Sequence, residues 1–292
     1  MSGPISDRLN DLAAYRRLAS LVGRGAGTDE DAQALVSTSR TVLAGKKRGI
    51  LRILLRAMVS FPQHVRVLRG PILLATSLFL FATAFGALAV QTDSDAASVL
   101  LPAAVFDAAV THPAGESRWL YQQDPAHTAA LSGSLLVHNV STAFSAIAFG
   151  CLWGIGAALA MLKNGVFLGA LAMLVEQRGI SDVFWSFVGP HGAIEFPLVC
   201  ISGGAGLALG RCLFFRDKQA RQRALDETVP AAAGVTIALL PLLGIAALLE
   251  GQRAVLPSSP LESTVLTASI LAVVAFYVFG PLSRPKSTTA PS

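Results

Sequence analysis

Six apolar stretches alternate with polar segments along the chain. A helix needs about 20 residues to cross a bilayer, and most of the stretches are long enough. The third would cover only about 18 Å as a helix, so we expect it to be extended, tilted or broken. The stretches are Pro71–Val90, Leu135–Leu162, Gly165–Val175 with a broken extension to Val188, Ala193–Phe215, Pro230–Leu249 and Thr264–Pro281. They predict an all-α, polytopic membrane helix bundle of six transmembrane helices with a short or broken third span.

Composition agrees with a membrane protein. Of the 292 residues, 53% are hydrophobic and 14% are charged, whereas a soluble domain is about 25% charged. The first seventy residues are polar and basic, and we recognise no cleavable signal peptide among them. We therefore expect a basic, helical cytoplasmic segment over residues 1–70 and a six-span membrane domain over residues 71–292.

The positive charges orient the predicted spans. With six crossings and an inside N-terminus, twenty lysines and arginines lie inside, and only Arg118, Arg178 and Arg253 lie outside. Lysine and arginine concentrate on the cytoplasmic side of membrane proteins. The sequence therefore predicts a multi-pass protein of the bacterial inner (plasma) membrane with both termini in the cytoplasm.

A short basic and apolar segment precedes the first span. Arg48, Arg52 and Arg56 are spaced by four and fall on one helical face, with isoleucines and leucines between them. This pattern is typical of a helix in the membrane interface whose basic face meets anionic lipid headgroups. The alternative is an ordinary juxtamembrane flank that only fixes orientation.

The central spans are rich in glycine at helical spacing. Small residues four apart let helix backbones approach closely in lipid, where no hydrophobic force drives association. We expect a tight bundle of spans two to four, with packing inside one chain favoured over a homo-oligomer, which remains possible. The packing residues are Gly150, Gly154, Gly165, Gly169, Gly206 and Gly210, and Asn164 is expected at the inner end of a span.

The longest outside segment, residues 91–134, is acidic. It carries five carboxylates and a single arginine, Arg118. It is the obvious surface for envelope proteins outside the cytoplasm, although a plain connector would have the same composition.

Short motifs in the middle of the chain resemble the stage II sporulation protein M family. The resemblance covers most of the chain, with a family core at residues 135–215, and includes the longer, non-sporulation branch. It implies a multi-span inner-membrane protein without established catalytic activity, similar to a membrane anchor that assembles peptidoglycan-degrading partners. One departure is His138, where the family often has asparagine. The matching pieces are His138-Asn139, Phe149-Gly150, Gly154-Ile155-Gly156, Lys163-Asn164-Gly165, Leu168-Gly169, Pro190-His191-Gly192, Glu195 and Gly203–Leu207.

Five polar residues are predicted to converge. The expected topology puts His138, Asn139, His191, Glu195 and Glu250 at the level of the outer leaflet, in a pocket open to the outside. Ionisable groups inside a membrane are costly and are functional candidates by default. Five roles remain open: a purely structural one, a docking site, a proton or ion relay, a zinc site, and hydrolysis. The spacing of a zinc protease motif is absent, so we expect no metal or other cofactor.

These features favour a non-enzymatic membrane scaffold that positions cell-envelope proteins acting on peptidoglycan. The alternative is a transporter or channel that uses the polar pocket around His191 and Glu195. Nucleic acid is not an expected partner, because the basic cluster at residues 211–223 lacks interleaved aromatic side chains.

Overall fold

The computed structural model describes residues 49–111, 114–115, 125–255 and 259–280, without the side chains of 125–136, His138 and 250–255. The chain divides into two compact units, Met1–Arg56 and Ala57–Ser292. Every regular element among the described residues is a helix. The all-helical prediction is therefore confirmed.

The second unit begins with helical residues 57–67, which we call α1. The other described helices are α2 Arg69–Thr92, α3 Ala96–Leu100, α4 Ala103–Thr111, α5 Pro125–Gly150, α6 Ile155–Gln177, α7 Ser181–Cys212, α8 Lys218–Val255 and α9 Pro260–Phe279. Among the described residues, five helices are long and apolar enough to cross a membrane, as judged by length and composition: α2, α6, α7, α8 (through Leu249) and α9. The multi-pass character of the chain follows from these helices.

The third apolar helix is neither short nor broken, so that prediction is wrong. Helix α6 is continuous over 23 residues, which corresponds to about 35 Å. The break lies before it, in the turn 151–154, where Trp153 and Gly154 have φ angles of 58° and 77°. Such positive φ angles suit glycine and are uncommon for other residues, and they end α5 sharply.

Two boundary predictions change with this helix. The segment up to Val188, which we expected to extend the third span, belongs to α7. Asn164 lies nine residues inside α6 rather than at the end of a span. Its Nδ2 donates a hydrogen bond of 2.8 Å to the Ala160 carbonyl in its own helix.

Helices α2 and α6 run in the same direction. Gly165 faces the backbone of Phe79, and Gly169 faces the backbone of Thr83. Near the ends of both helices, Gln177 Nε2 donates a hydrogen bond of 3.0 Å to the Val90 carbonyl. Contacts that advance together along both helices define a parallel pair, so the chain between them must return across the bundle.

Helices α5 and α7 form a second parallel pair through glycines. A Cβ atom built on Gly150 would overlap the backbone of Gly206, and one built on Gly210 would overlap the backbone of Gly154. Also on α7, Gly203 faces the side chain of Met161 from α6. Because glycine has no side chain, the backbones of α5 and α7 can touch at these positions, as small-residue motifs allow in membranes.

Helix α1 is part of the bundle. Phe61, Val65 and Leu68 are buried in the same core as residues of α8 and α9. The Phe61 ring stacks on Tyr277 with 6.0 Å between ring centroids, and the Tyr277 hydroxyl donates to the Met58 carbonyl. Residues 57–68, which the sequence placed in the cytoplasmic segment, therefore pack against the last two helices.

The preceding residues 49–56 belong to the first unit and are helical. Their apolar side chains at Ile50, Leu51 and Ile53 are exposed, as are Arg52 and Arg56. Arg48 lies outside the described residues. Exposed apolar and basic groups on one helix are typical of an interfacial segment, so this interpretation stays a prediction.

We predict that Gly206→Ala destabilises the bundle. The new Cβ would overlap the Ala146 carbonyl, and overpacking of this kind costs about 1–3 kcal/mol. Gly244→Ala in α8 is the matched control, because nothing lies within 4 Å of the new atom. Thermal unfolding of the purified proteins in detergent should show a melting temperature several degrees lower for Gly206→Ala alone. Equal melting temperatures would contradict the proposed backbone contact.

Candidate functional site

The candidate site lies on α7, which passes through two prolines without ending. Pro190 and Pro197 are both inside this 32-residue helix. Proline has no N–H, so the carbonyls of Ser186 and Ala193 lose their usual helical donor. Transmembrane helices tolerate this because neighbouring groups satisfy the freed carbonyls. The helix therefore begins at Ser181, well before Ala193, where the sequence analysis began the fourth apolar stretch.

His191 and Glu195 lie within this proline-flanked part of α7. His191 follows ten residues of helix, so the two side chains are well inside α7 rather than at its beginning. Both are buried, with exposed fractions of 7% and 6%. Their spacing of four residues places them on one face, one turn apart.

Asn139 brings a second helix to the site. Its side-chain amide hydrogen-bonds to the carboxyl group of Glu195. This bond makes the two residues, one from α5 and one from α7, neighbours. The side chains of His138 and Glu250 lie outside the described residues, so their share in the cluster stays a prediction.

One buried polar atom of the site, Oε1 of Glu195, lacks a partner in the described part of the chain. The buried imidazole of His191 lies within reach of the Phe187 backbone one turn earlier. Phe187, one turn before His191, packs edge-on against the imidazole with 5.3 Å between ring centroids. No cationic side chain is paired with Glu195 among the described residues. A buried carboxylate without a counter-charge is very costly, so the site favours a neutral carboxyl group or a bound cation.

The described residues contain no group of three or more histidine, cysteine, aspartate or glutamate side chains that could hold a metal ion. Asn139, His191 and Glu195 offer hydrogen-bonding and proton-accepting atoms. Because the side chains of His138 and Glu250 lie outside the described residues, all five roles named for the cluster stay open.

The contact between Gly150 and Gly206 and the contact between Asn139 and Glu195 fit the same alignment of α5 with α7. Gly150 follows Asn139 by eleven residues, and Gly206 follows Glu195 by eleven residues. Eleven residues are three helical turns, so each pair lies on one face of its helix. The contact between Gly150 and Gly206 therefore holds Asn139 opposite Glu195. This equal spacing was visible in the sequence and would have predicted the pairing of α5 with α7.

Other predicted residues lie apart from this cluster. Gly165 and Gly169 contact α2, and Asn164 bonds only within its own helix among the interactions described. Arg52 and Arg56 belong to the first unit. Sequence reasoning missed the role of Phe187 beside His191, because an aromatic residue in an apolar helix gives no specific signal.

The fold and the buried polar site define a polytopic helical membrane protein with an intramembrane carboxyl group. Within this class, the family model described as stage II sporulation protein M matches residues 75–252, more than half of the chain. The chain belongs to that family. The matched region includes Asn139, His191 and Glu195. Neither the curated proteins nor the solved structures compared with the chain give a match.

We predict that Asn139→Ala destabilises the protein more than Asn164→Ala does. Asn139 joins two helices, whereas Asn164 bonds within one. Loss of an interhelical hydrogen bond in a membrane costs about 0.6–2 kcal/mol. Thermal unfolding of both variants in the same detergent measures the difference. An equal loss in both would mean that the bond to Glu195 contributes nothing specific.

Proposed function

We propose that the protein is a non-enzymatic scaffold of the bacterial plasma membrane that positions envelope proteins acting on peptidoglycan. The observation that carries this proposal is the ordered, partly apolar surface formed by α3 and α4. This surface belongs to the acidic segment 91–134, for which we expect partners outside the cytoplasm.

The α3–α4 surface is fixed to the ends of the membrane helices. Ala97, Leu101 and Ala109 are buried in one core with Val90 of α2 and residues of α6 and α7. The Gly115 amide donates a hydrogen bond of 2.9 Å to the carbonyl of Arg178, in the turn between α6 and α7. A segment anchored in this way presents a defined surface, as a docking site requires.

The outer face of this surface combines an apolar side chain with acids. Val99 is 82% exposed, and three acids of the same segment, Asp93, Asp95 and Asp107, are exposed as well. Exposed apolar and charged groups on one anchored segment suit a protein interaction site. The acids favour a partner with a basic surface.

The topology that we propose has six crossings with both termini in the cytoplasm. Its support is the parallel direction of α2 and α6, because a return across the membrane between them requires α5. Helix α5 has 26 residues, enough for a crossing. In this orientation α3 and α4 lie outside, and the bilayer with its anionic headgroups meets the basic residues Arg48, Arg52 and Arg56.

We predict that Val99→Glu removes partner binding while the bundle stays folded. The new carboxylate adds like charge to an acidic surface and removes the apolar contact. Affinity purification of full-length protein from native membranes, followed by quantitative mass spectrometry, should recover an envelope protein with wild type and at least five-fold less with Val99→Glu.

The matched control is Leu261→Glu, which places the same charge at a 74%-exposed leucine on the same proposed side. It should leave recovery unchanged. Equal recovery with all three proteins, or no stoichiometric envelope protein with wild type, would contradict the scaffold.

A proton or cation relay through Glu195 is the second candidate. It is favoured by one observation, the Glu195 Oε1 atom, which is buried inside the membrane helices without a partner among the described residues. Such groups mark ion and proton pathways in membrane proteins. Liposomes containing the protein and a trapped pH-sensitive dye measure this activity. Proton flux through wild type that is lost in Glu195→Gln would support a transporter. If liposomes with wild-type protein and protein-free liposomes show the same rate of proton flux, proton movement through the protein is excluded.

A further inference from the structure

A pocket of about 460 Å³ lies between α7, α8 and α9, separate from the buried atoms of Glu195. Its wall includes Ile194 of α7, Met58 of α1 and side chains from the facing sides of α8 and α9. The volume falls within the range of about 300–1,000 Å³ that is usual for small-molecule sites.

Among the described residues, the wall offers no free side-chain hydrogen-bond donor, because the two hydroxyl groups that reach it already donate to backbone carbonyls. Ser269 Oγ donates to the Val265 carbonyl at 2.7 Å, and the Tyr277 hydroxyl donates to the Met58 carbonyl. An ordered water needs two to four polar partners, which this wall does not supply. The pocket therefore suits an apolar occupant and disfavours a polar solute.

The pocket opens toward the bilayer. Ile245 and Val273, on its wall, are 44% and 67% exposed, and they belong to two of the candidate membrane helices. Tyr277 lies two residues before the end of α9, where tyrosine side chains meet the headgroup region. The pocket thus extends from the apolar interior to the level at which a lipid headgroup would lie.

We propose that the pocket binds one acyl chain of a bilayer phospholipid, with the headgroup near the Tyr277 end. A chain matches the apolar wall, the lateral opening and the neighbouring medium. A helix from a second copy is about 10–12 Å across and too bulky for this space. A bound chain completes the packing between α7, α8 and α9 beside Ile194, the residue that precedes Glu195.

The test uses full-length protein in nanodiscs that contain phosphatidylglycerol with a photoactivatable diazirine on its palmitoyl chain. After irradiation, fragmentation mass spectrometry locates the adducts. Adducts at Ile245 and Val273 should exceed those at Leu271, which is also exposed on α9 but does not line the pocket.

Ser269→Phe fills the pocket, and Leu271→Phe adds the same ring on another face of α9. Adducts at Ile245 should fall at least five-fold in Ser269→Phe and stay unchanged in Leu271→Phe. Ile270→Trp is a second filling variant should Ser269→Phe not fold. Uniform labelling of all exposed apolar positions, or labelling that both filling variants leave unchanged, would overturn the proposal. Labelling only by photoactivatable free palmitate would overturn the phospholipid as its source.

Discussion

Backbone contact at glycine holds the central helices together, and the polar site depends on it. Lipid chains are as apolar as leucine, so helices in a bilayer gain little from burying leucine against leucine. Gly206 instead meets the Ala146 carbonyl directly, with the side chain of Ala157 beside it. Many weak dispersion contacts at this short range replace the hydrophobic effect. They fix the relative height of α5, α6 and α7.

That fixed height makes the hydrogen bond between Asn139 and Glu195 possible. Both residues lie three turns before the glycine contact, on the same faces of two parallel helices. A slip of one residue would rotate the side chains by about 100° and separate them. The same glycines that exclude large side chains therefore keep a carboxyl group and an amide within reach inside the bundle. The glycine packing and the Asn139–Glu195 bond therefore both depend on the same alignment of α5 with α7.

The sequence predicted the helical membrane fold and the family, and it placed Asn139 and Glu195 in one cluster whose full membership stays a prediction. It misplaced the helix boundaries for two physical reasons. The turn after Gly150 contains Leu152 and Trp153, which are as apolar as the adjoining helices, so hydropathy shows no gap there. Pro190 suggests a helix start in water, yet a bundle can satisfy the carbonyl that proline leaves free. The pocket beside Ile194 could not be predicted from the sequence either, because its wall is formed by side chains that are far apart in the chain.

The position of the prolines limits how the buried site can open. Pro190 and Pro197 flank His191 and Glu195, whereas the close contacts of α7 glycines with the backbones of other helices begin at Gly204. Missing hydrogen bonds weaken the first region, and close backbone packing stiffens the second. A movement that exposes Glu195 would therefore bend α7 at its prolines and leave the glycine contacts intact. The pocket lined by Ile194 adjoins this bend. The acyl chain that we propose there would therefore oppose the bend and couple the lipid to the buried carboxyl group through one segment of α7.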